Sequence, residues 1–403
     1  MAVLAVGCAS APRREALHLS STAALPVGFP STVRIVDDTR RAFEIRAPRI
    51  LAQVQAASGG GPINVLALSG GGAGAAFGAG ALVGWTRQGT RPVFQIVTGV
   101  SAGALIAPFA FLGPSWDEQL EDAYSGGRTR KLFQGSWFSA LFGASLYRGR
   151  PLRALVDRYV TDKLLRAVAA EAAKGRLLMI ATTDLDKEQT VIWNLGVIAS
   201  QGGESARRLF RDVIVASASI PGLFPPVIIH VTASGTAYDE MHVDGGTSSP
   251  LFIAPEIASV LKVDAPFLHG ANVYVIENGQ FGGQTQTTPI RAIPIMKRAI
   301  SAALLSSSLA AVEIALSVAE RNGMQLHVTA IPTDYPFLGS LDVEPSSMKA
   351  LLDYGVRCAT ANLLWMTPAD LVDHRVRAHV APDSGPPACP ADAPKTPDDA
   401  PHS

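Results

Sequence analysis

Two stretches read Val65-Leu-Ala-Leu-Ser-Gly-Gly-Gly-Ala-Gly-Ala-Ala-Phe-Gly-Ala-Gly80 and Val93-Phe-Gln-Ile-Val-Thr-Gly-Val-Ser-Ala-Gly103. Each is an apolar strand that runs into glycines and then into a helix. In the second stretch the turn has the form Gly-x-Ser-x-Gly, the pattern of a nucleophile elbow, which exposes a serine hydroxyl above the sheet. In the first, Gly70, Gly71 and Gly72 leave backbone N–H groups open to an oxyanion. Together the two stretches predict a serine acyl hydrolase with Ser101 as nucleophile.

The glycine cluster has to be compared with two nucleotide-binding patterns. Gly70-x-Gly72-x-x-Ala75 after a strand satisfies the dinucleotide fingerprint, but that fingerprint expects an acidic residue about 20 positions later. The strand that follows carries no acidic residue and delivers Ser101 instead. No Gly-Lys-Ser or Gly-Lys-Thr follows, so the cluster is not a phosphate-binding P-loop.

A serine nucleophile needs a base, and no histidine after Ser101 occupies a well-placed loop. His230 and His327 lie inside apolar strands, and His242 lies two residues before an acidic residue. That residue, Asp244, ends a short strand and is followed by Gly245-Gly246. A turn of this kind can place a carboxylate in a site, although Asp-Gly-Gly by itself is an ordinary turn. We therefore take Asp244 as the candidate base.

At this point the chain resembles the patatin-like phospholipase family, most closely from about Asn64 to Thr247. The resemblance rests on four blocks in order: Ser69-Gly-Gly-Gly72, Gly99-Val-Ser-Ala-Gly103, Ala216-Ser-Ala-Ser-Ile-Pro221 with Phe224-Pro-Pro226, and Asp244-Gly-Gly246. The chain departs from the family where a basic residue and a glycine are usual, at Gly74 and Ala75. It also departs where a histidine is common, at Gly78.

The resemblance implies an α/β fold with three layers, α/β/α, and a largely parallel central sheet. It implies a dyad of Ser101 and Asp244, with Gly70 to Gly72 as the oxyanion loop and no metal or organic cofactor. The elbow and turn glycines would be Gly99, Gly103, Gly245 and Gly246. Hydrolysis would pass through an acyl-enzyme on a phospholipid or lysophospholipid, at a membrane surface. Two alternatives stay open: a catalytically silent lipid-binding envelope protein, and an acyltransferase that uses the same elbow.

Composition and pattern predict the domain organisation. The 403 residues are 48% hydrophobic and carry a formal charge of +0, so no basic excess points to nucleic acid. We predict a lead-in over 1–60, helical around 33–55, an acyl hydrolase domain over 61–368 and a Pro/Ala-rich disordered tail over 369–403. The predicted strands are 63–68, 94–98, 177–182, 190–193, 226–231, 240–243, 272–276 and 325–331. The predicted helices are 75–88, 102–111, 152–174, 205–217, 295–321 and 346–366.

Two apolar segments raise the question of a membrane. Residues 299–318 are about as long as a spanning helix, but their serines and Glu313 favour a helix packed under the sheet. The N-terminus is a short apolar run that ends in Gly7-Cys8 and resembles a bacterial lipoprotein signal without its positive region. It predicts a cell-envelope protein anchored through Cys8, the alternative being a cytoplasmic one. Headgroup, chain length and oligomeric state do not follow from the sequence.

Overall fold

The computed structural model describes residues 24–36, 49–50, 52–125, 150–249, 251, 269–282, 287–366 and 388–391. A ten-stranded sheet forms its centre. The strands are β1 (Leu25–Pro26), β2 (Arg34–Ile35), β3 (Asn64–Leu68), β4 (Ile96–Val100), β5 (Leu177–Asp184), β6 (Gln189–Asn194), β7 (Val227–Ala233), β8 (Thr236–Asp244), β9 (Asn272–Glu277) and β10 (Gln325–Ala330). The helices are α1 (Ala75–Gln88), α2 (Ala102–Leu112), α3 (Asp117–Ser125), α4 (Arg150–Tyr159), α5 (Asp162–Ala173), α6 (Leu195–Gln201), α7 (Gly203–Ser217), α8 (Ala292–Arg321) and α9 (Pro345–Thr360).

The sheet has a parallel part and an antiparallel part. Strands β10, β9, β3, β4 and β5 lie side by side and all run in the same direction. Beyond β5 the direction reverses, because β8 and β6 both pair with β5 antiparallel, and β7 and β1 continue the sheet from β8. All five parallel strands therefore end at one edge, which carries the turns after β3 and β4.

Helices cover both faces of the sheet. Along β3, Leu66 and Leu68 belong to one hydrophobic core, while Val65 and Ala67 belong to the other. This alternation follows from the period of two in a strand, and a strand buried on both faces reads as a continuous apolar run. The predicted three-layer α/β/α fold with a parallel centre is confirmed.

Helices α1 and α9 pack unusually closely, and glycine makes this possible. A Cβ on Gly80 would lie 2.1 Å from the carbonyl oxygen of Leu352, and one on Gly84 would lie 2.4 Å from that of Val356. The contact is reciprocal, because a Cβ on Gly355 would lie 2.5 Å from the carbonyl oxygen of Phe77. The glycines that follow the predicted oxyanion loop thus serve helix packing.

Some sequence-based boundaries are wrong. The segment predicted as one helix over 152–174 is α4 and α5, because the first ends at Tyr159 and Thr161 caps the second by accepting a hydrogen bond from Leu164 N–H. The helix predicted over 346–366 ends at Thr360, and Met366 instead forms a β-bridge with Val328. Helices α3 and α6 were not predicted.

The predicted lead-in and tail both contribute to the folded domain. Strands β1 and β2 come from the lead-in and pair with β7 and β6, so residues 25–26 and 34–35 are part of the sheet, although the lead-in was predicted to precede the domain. In the region predicted to be helical around 33–55, the described residues 49–50 and 52–55 are α-helical, and the helical residues continue to 57. In the tail, Cys389 forms a disulfide with Cys358 of α9, and Ala391 N–H donates to Leu363. The expected disorder is therefore wrong for residues 388–391; Cys8 and the rest of the tail lie outside the described residues.

Candidate active site

Ser101 occupies the sharp turn between β4 and α2, as an elbow requires. Its φ of 53° lies in the left-handed region that non-glycine residues rarely adopt. The turn is close-packed, because a Cβ on Gly103 would lie 2.5 Å from the carbonyl oxygens of Leu68 and Ser69. A Cβ on Gly99 would in turn lie 2.8 Å from the carbonyl oxygen of Gly103. Both glycines of the motif are thus needed to bring the start of α2 against the end of β3.

The structure brings Ser101 and Asp244 into direct contact across 143 residues of chain. The Ser101 hydroxyl donates a hydrogen bond to Asp244 Oδ2 at 2.6 Å. The other carboxylate oxygen accepts from Gly246 N–H at 2.7 Å, which fixes the orientation of the carboxyl group. Gly245 is equally constrained, since a Cβ there would lie 2.4 Å from the carbonyl oxygen of Ala181. A nucleophile and a base within hydrogen-bond reach are the geometry that nucleophilic catalysis needs.

Burial makes the carboxylate of Asp244 a stronger base. Asp244 is 4% exposed, and burial raises the pKa of its carboxyl group to about 7, against the opposing effect of hydrogen bonds from Ser101 and Gly246. A carboxylate with its ordinary pKa is a poor acceptor for a serine proton. A pKa near 7 brings the group into the range where general bases work best at neutral pH.

The glycine loop lies directly beside the serine. A Cβ on Gly70 would lie 3.1 Å from Ser101 Cβ. Gly71 has a φ of 147°, and a Cβ on it would lie 2.0 Å from the carbonyl oxygen of Asn278, so only glycine fits. Gly72 is held as closely against Ser340. The predicted oxyanion residues are therefore next to Ser101, in backbone conformations and contacts that exclude a side chain.

Asn278, which the sequence did not single out, supports this loop. Its backbone N–H donates to Ser69 Oγ, and its side-chain N–H donates to the Ser69 carbonyl oxygen, both at 2.8 Å. Ser69 Oγ then donates to the Gly70 carbonyl oxygen at 2.7 Å. The side-chain oxygen of Asn278 would be 2.3 Å from a Cβ on Gly78. The departure at Gly78 thus leaves room for the amide that holds the loop.

Ser217 links the elbow to the next strand of the sheet. Its hydroxyl accepts a hydrogen bond from Ser101 N–H at 3.0 Å and donates to the Ala181 carbonyl oxygen at 2.7 Å. Two residues later, the Ser219 carbonyl oxygen accepts from Asp244 N–H at 2.9 Å. The sequence placed this end of α7 beside the site but gave no role to Ser217. The end of α7 therefore positions both members of the pair.

A cleft of about 100 Å³ opens above Ser101. Its walls are almost entirely apolar and come from α2, α4, α5 and α7 and from the loop before α9. Apolar side chains on these walls include Leu105, Phe109, Val156, Ile214 and Leu341. Such a cleft accommodates a hydrocarbon chain and offers few partners to a polar one.

None of the described histidines forms a hydrogen bond with Ser101 or Asp244. His242 is fully buried, with its ring nitrogens on Thr182 Oγ1 at 2.9 Å and Glu240 Oε2 at 3.4 Å. His230 is exposed and hydrogen-bonds Asp239, and His327 stacks on Tyr274 at 4.7 Å between ring centroids. The three of them therefore serve structural contacts.

Glu277 is a second buried carboxyl group near the site that sequence analysis missed. It ends β9 and is 6% exposed, and burial raises the pKa of its carboxyl group to about 8 in spite of hydrogen bonds with Ser69 and Ser308. An acidic residue at the end of an apolar strand is a signal that could have found it. Among the described residues, no group of three or more His, Cys, Asp and Glu side chains is placed to hold a metal ion.

Comparison with known proteins places these residues in a family. The model of the patatin-like phospholipase family matches residues 66–256, a range that contains Ser101, Asp244 and the glycine loop. The resemblance seen in the sequence is thereby confirmed. Among solved structures, the chain is similar to VipD from Legionella pneumophila, with 13% sequence identity and a TM-score of 0.36, over 75% of this chain and 67% of that chain. No curated protein matches the sequence.

Proposed function

We propose that this chain, whose residues 66–256 belong to the patatin-like phospholipase family, hydrolyses carboxylic esters of phospholipids or lysophospholipids. The family match supports lipid ester hydrolysis in general. The observation that carries the finer proposal is the 2.6 Å hydrogen bond from Ser101 to Asp244 at the base of an apolar cleft. Ser101 is the proposed nucleophile and Asp244 the proposed base.

In the proposed mechanism, Asp244 accepts the hydroxyl proton as Ser101 Oγ attacks the ester carbonyl carbon. Backbone N–H groups of the loop Gly70 to Gly72 stabilise the oxyanion, an interaction of which one donor is typically worth roughly 10²–10³ in rate. The tetrahedral intermediate expels the alcohol, which takes the proton from Asp244. Water activated by the same carboxylate then hydrolyses the acyl-enzyme and releases a fatty acid.

The apolar cleft supports an acyl chain as the group bound next to Ser101. An ester whose acyl chain lies between Phe109 and Ile214 would place its carbonyl group at the serine, with the polar part of the lipid directed outward. Headgroup selection would then depend on residues at the mouth of the cleft.

The direct test is to incubate the purified protein with phospholipids that carry two different acyl chains, and with the matching lysophospholipids, and to identify the products by mass. Release of a free fatty acid by the wild type but not by Ser101→Ala supports the proposal. Equal release by the two proteins contradicts it.

We also propose that the protein is a bacterial envelope protein anchored through Cys8. The disulfide between Cys358 and Cys389 supports an oxidising compartment, because disulfides persist mainly outside the reducing cytosol. Ala24, just before β1, lies sixteen positions after Cys8 in the sequence, and a tether of that length reaches at most about 55 Å. The domain would thus stay near the lipid surface. Labelling of cells with a clickable fatty acid should mark the wild type and not Cys8→Ser; labelling of both, or of neither, contradicts the anchor.

A further inference from the structure

Helix α8 is much longer than the sheet it packs on. Its 30 residues span about 45 Å, whereas the six-residue strand β10 that follows spans about 20 Å. Only its C-terminal part is anchored, through the buried residues Val312, Ala315, Val318 and Ala319. By length and composition, Pro294–Arg321 is the one helix of the described chain that could cross a membrane, but this anchoring ties it to the sheet. The prediction of a helix packed under the sheet therefore fits its C-terminal part alone.

The unanchored part of α8 extends beyond the active-site edge. A short connection joins α8 to β10, so the helix runs antiparallel to the parallel strands, and its N-terminal part points past their carboxyl ends. It passes the site at Leu304, whose side chain would lie 3.6 Å from a Cβ on Gly246, and at Ser308, which hydrogen-bonds Glu277. We call residues 290–304 the overhang. The overhang begins next to the proposed base and extends away from the sheet.

The overhang combines large exposed apolar side chains with a sequence of net positive charge. Ile290, Ile295 and Met296 are 95%, 49% and 44% exposed. The overhang also contains Arg291, Lys297 and Arg298, and the sequence has no Asp or Glu from residue 278 to residue 312. Apolar residues next to cations, without carboxylates, are typical of helices that lie in the interface of an anionic bilayer.

We propose that the overhang is a docking surface for an anionic lipid bilayer and holds the Ser101 cleft against it. This inference rests on the proposed function, since the substrate would then be drawn from the docked surface. Contact with lipid covers the exposed Ile and Met side chains, and the net positive charge of the segment attracts anionic headgroups. We assign this surface to a lipid bilayer because the charge of the overhang, its exposed apolar side chains and its position next to the cleft all suit one.

The test compares two changes on the same helix. Ile295→Glu with Met296→Glu alters the overhang, and Ile314→Glu alters a 52% exposed isoleucine in the anchored part, nineteen residues further along. Both variants are made in the full chain carrying Cys8→Ser, so that no acyl anchor contributes. Binding is measured by co-sedimentation with vesicles of phosphatidylcholine alone and with added phosphatidylglycerol.

We expect the protein with an unchanged overhang to bind the anionic vesicles more tightly than the neutral ones, and less tightly as salt increases. The overhang variant should bind at least tenfold more weakly, and Ile314→Glu should bind as its parent does. Equal binding by both variants, or equal binding to both kinds of vesicle, overturns the proposal. Loss of a dimer in the overhang variant, with vesicle binding unchanged, would assign the surface to a second copy instead.

A second measurement separates this inference from the proposed hydrolase activity. Turnover of a water-soluble short-chain ester should be the same in the overhang variant and its parent, because the substitutions leave Ser101 and Asp244 untouched. Ser101→Ala should bind vesicles normally while hydrolysing neither substrate. If Ser101→Ala kept ester turnover, the hydrolase proposal would fail independently of the docking surface.

Discussion

The two halves of the sheet position the two members of the proposed dyad in different ways. Ser101 follows β4 in the parallel half, and its position depends on one local turn whose residues are contiguous in the sequence. Asp244 ends β8 in the antiparallel half, where β5 pairs with it at Thr182 and the end of α7 holds its N–H. The position of the proposed nucleophile thus depends on local geometry, and that of the proposed base on the register of a distant strand. A substitution in either half should therefore slow the same reaction, in the parallel half by distorting a local turn and in the antiparallel half by disturbing strand register.

The largest effect should come from removing either member of the dyad. Ser101→Ala and Asp244→Asn should each lower kcat by about 10⁴-fold or more, because the members of one catalytic unit act together and their losses do not add. The double variant should be no worse than either single one. Steady-state turnover of a chromogenic ester measures this, with circular dichroism to show that each variant is folded. His242→Gln, in contrast, should keep the chemical step; loss of activity in that folded variant would point to a histidine in the mechanism.

The next largest effect should come from the glycine loop of the parallel half. Gly71→Ala should lower kcat at least about 100-fold, the cost of losing an oxyanion donor, because its Cβ would collide with Asn278 and displace the loop. Gly89→Ala is the matched control: its φ of 88° is also positive, but a Cβ there meets nothing within 4 Å. It should cost only about 1 kcal/mol of stability and leave kcat unchanged. Equal kcat losses in both would show that backbone strain, and not the loop, controls the rate.

A pH profile tests the base in the antiparallel half. Asp244 must be ionised to accept a proton, so kcat/KM should be full well above pH 7 and fall about tenfold per unit below it. Glu277, with a pKa raised to about 8, could titrate nearby, and Glu277→Gln separates the two. We expect the limb near pH 7 to persist in that variant. A limb that disappears with Glu277→Gln would assign the titration to Glu277.

The same raised pKa of Asp244 predicts that stability changes with pH in the opposite direction from activity. The native state holds the Asp244 proton up to about pH 7, whereas the unfolded state loses it near 3.8, so the native state binds more protons between these values. The free energy of unfolding therefore decreases as pH rises from about 4 to 7 on account of this group. Asp244→Asn should raise Tm at pH 7 more than at pH 4.5, as measured by calorimetry. An equal shift at both pH values would contradict the raised pKa.

Ser217→Ala should have an intermediate effect, because this residue joins the two halves. Its loss leaves the buried Ser101 N–H without its acceptor and loosens the elbow, so we expect kcat to fall about tenfold with KM little changed. Ser219→Ala is the control: its hydroxyl bonds only Val215 of its own helix, and its carbonyl oxygen still accepts from Asp244. A larger kcat loss in Ser219→Ala than in Ser217→Ala would contradict the linking role.

The smallest effect on catalysis should come from removing the disulfide, which touches neither Ser101 nor Asp244. Cys389→Ser should leave ester turnover unchanged. It should lower the free energy of unfolding by up to about 3–4 kcal/mol, since the bond closes a loop of 31 residues. Denaturant unfolding with and without reductant measures this, because reductant should destabilise the wild type and not the variant. Equal sensitivity of both to reductant would contradict the bond.

The elements that sequence analysis placed well are those with a strong local signal. The apolar runs of β3, β4 and β9 and the helix α1 match their predicted positions closely, because burial on both faces demands continuous hydrophobicity. The break at Thr161 was missed, since the apolar pattern continues through it and a capping hydrogen bond decides the boundary. Strands β1 and β2 were missed because each has only two residues, too few to show an alternating apolar pattern. Only their pairing with β7 and β6 defines them as strands.

For this protein, the sequence by itself determined the parallel sheet, the elbow at Ser101 and the glycine loop, because each depends on residues adjacent in the chain. It also singled out Asp244 as a candidate base. Tertiary structure alone decided that Asp244 meets Ser101 at 2.6 Å, with burial that raises its pKa to about 7. It alone decided that Asn278 and Ser217 hold the site and that α8 overhangs its edge. The physical reason is that these features depend on how distant segments are brought together. Their hydrogen bonds, their desolvation and the distances between them follow from the register of the whole sheet, which no local pattern encodes.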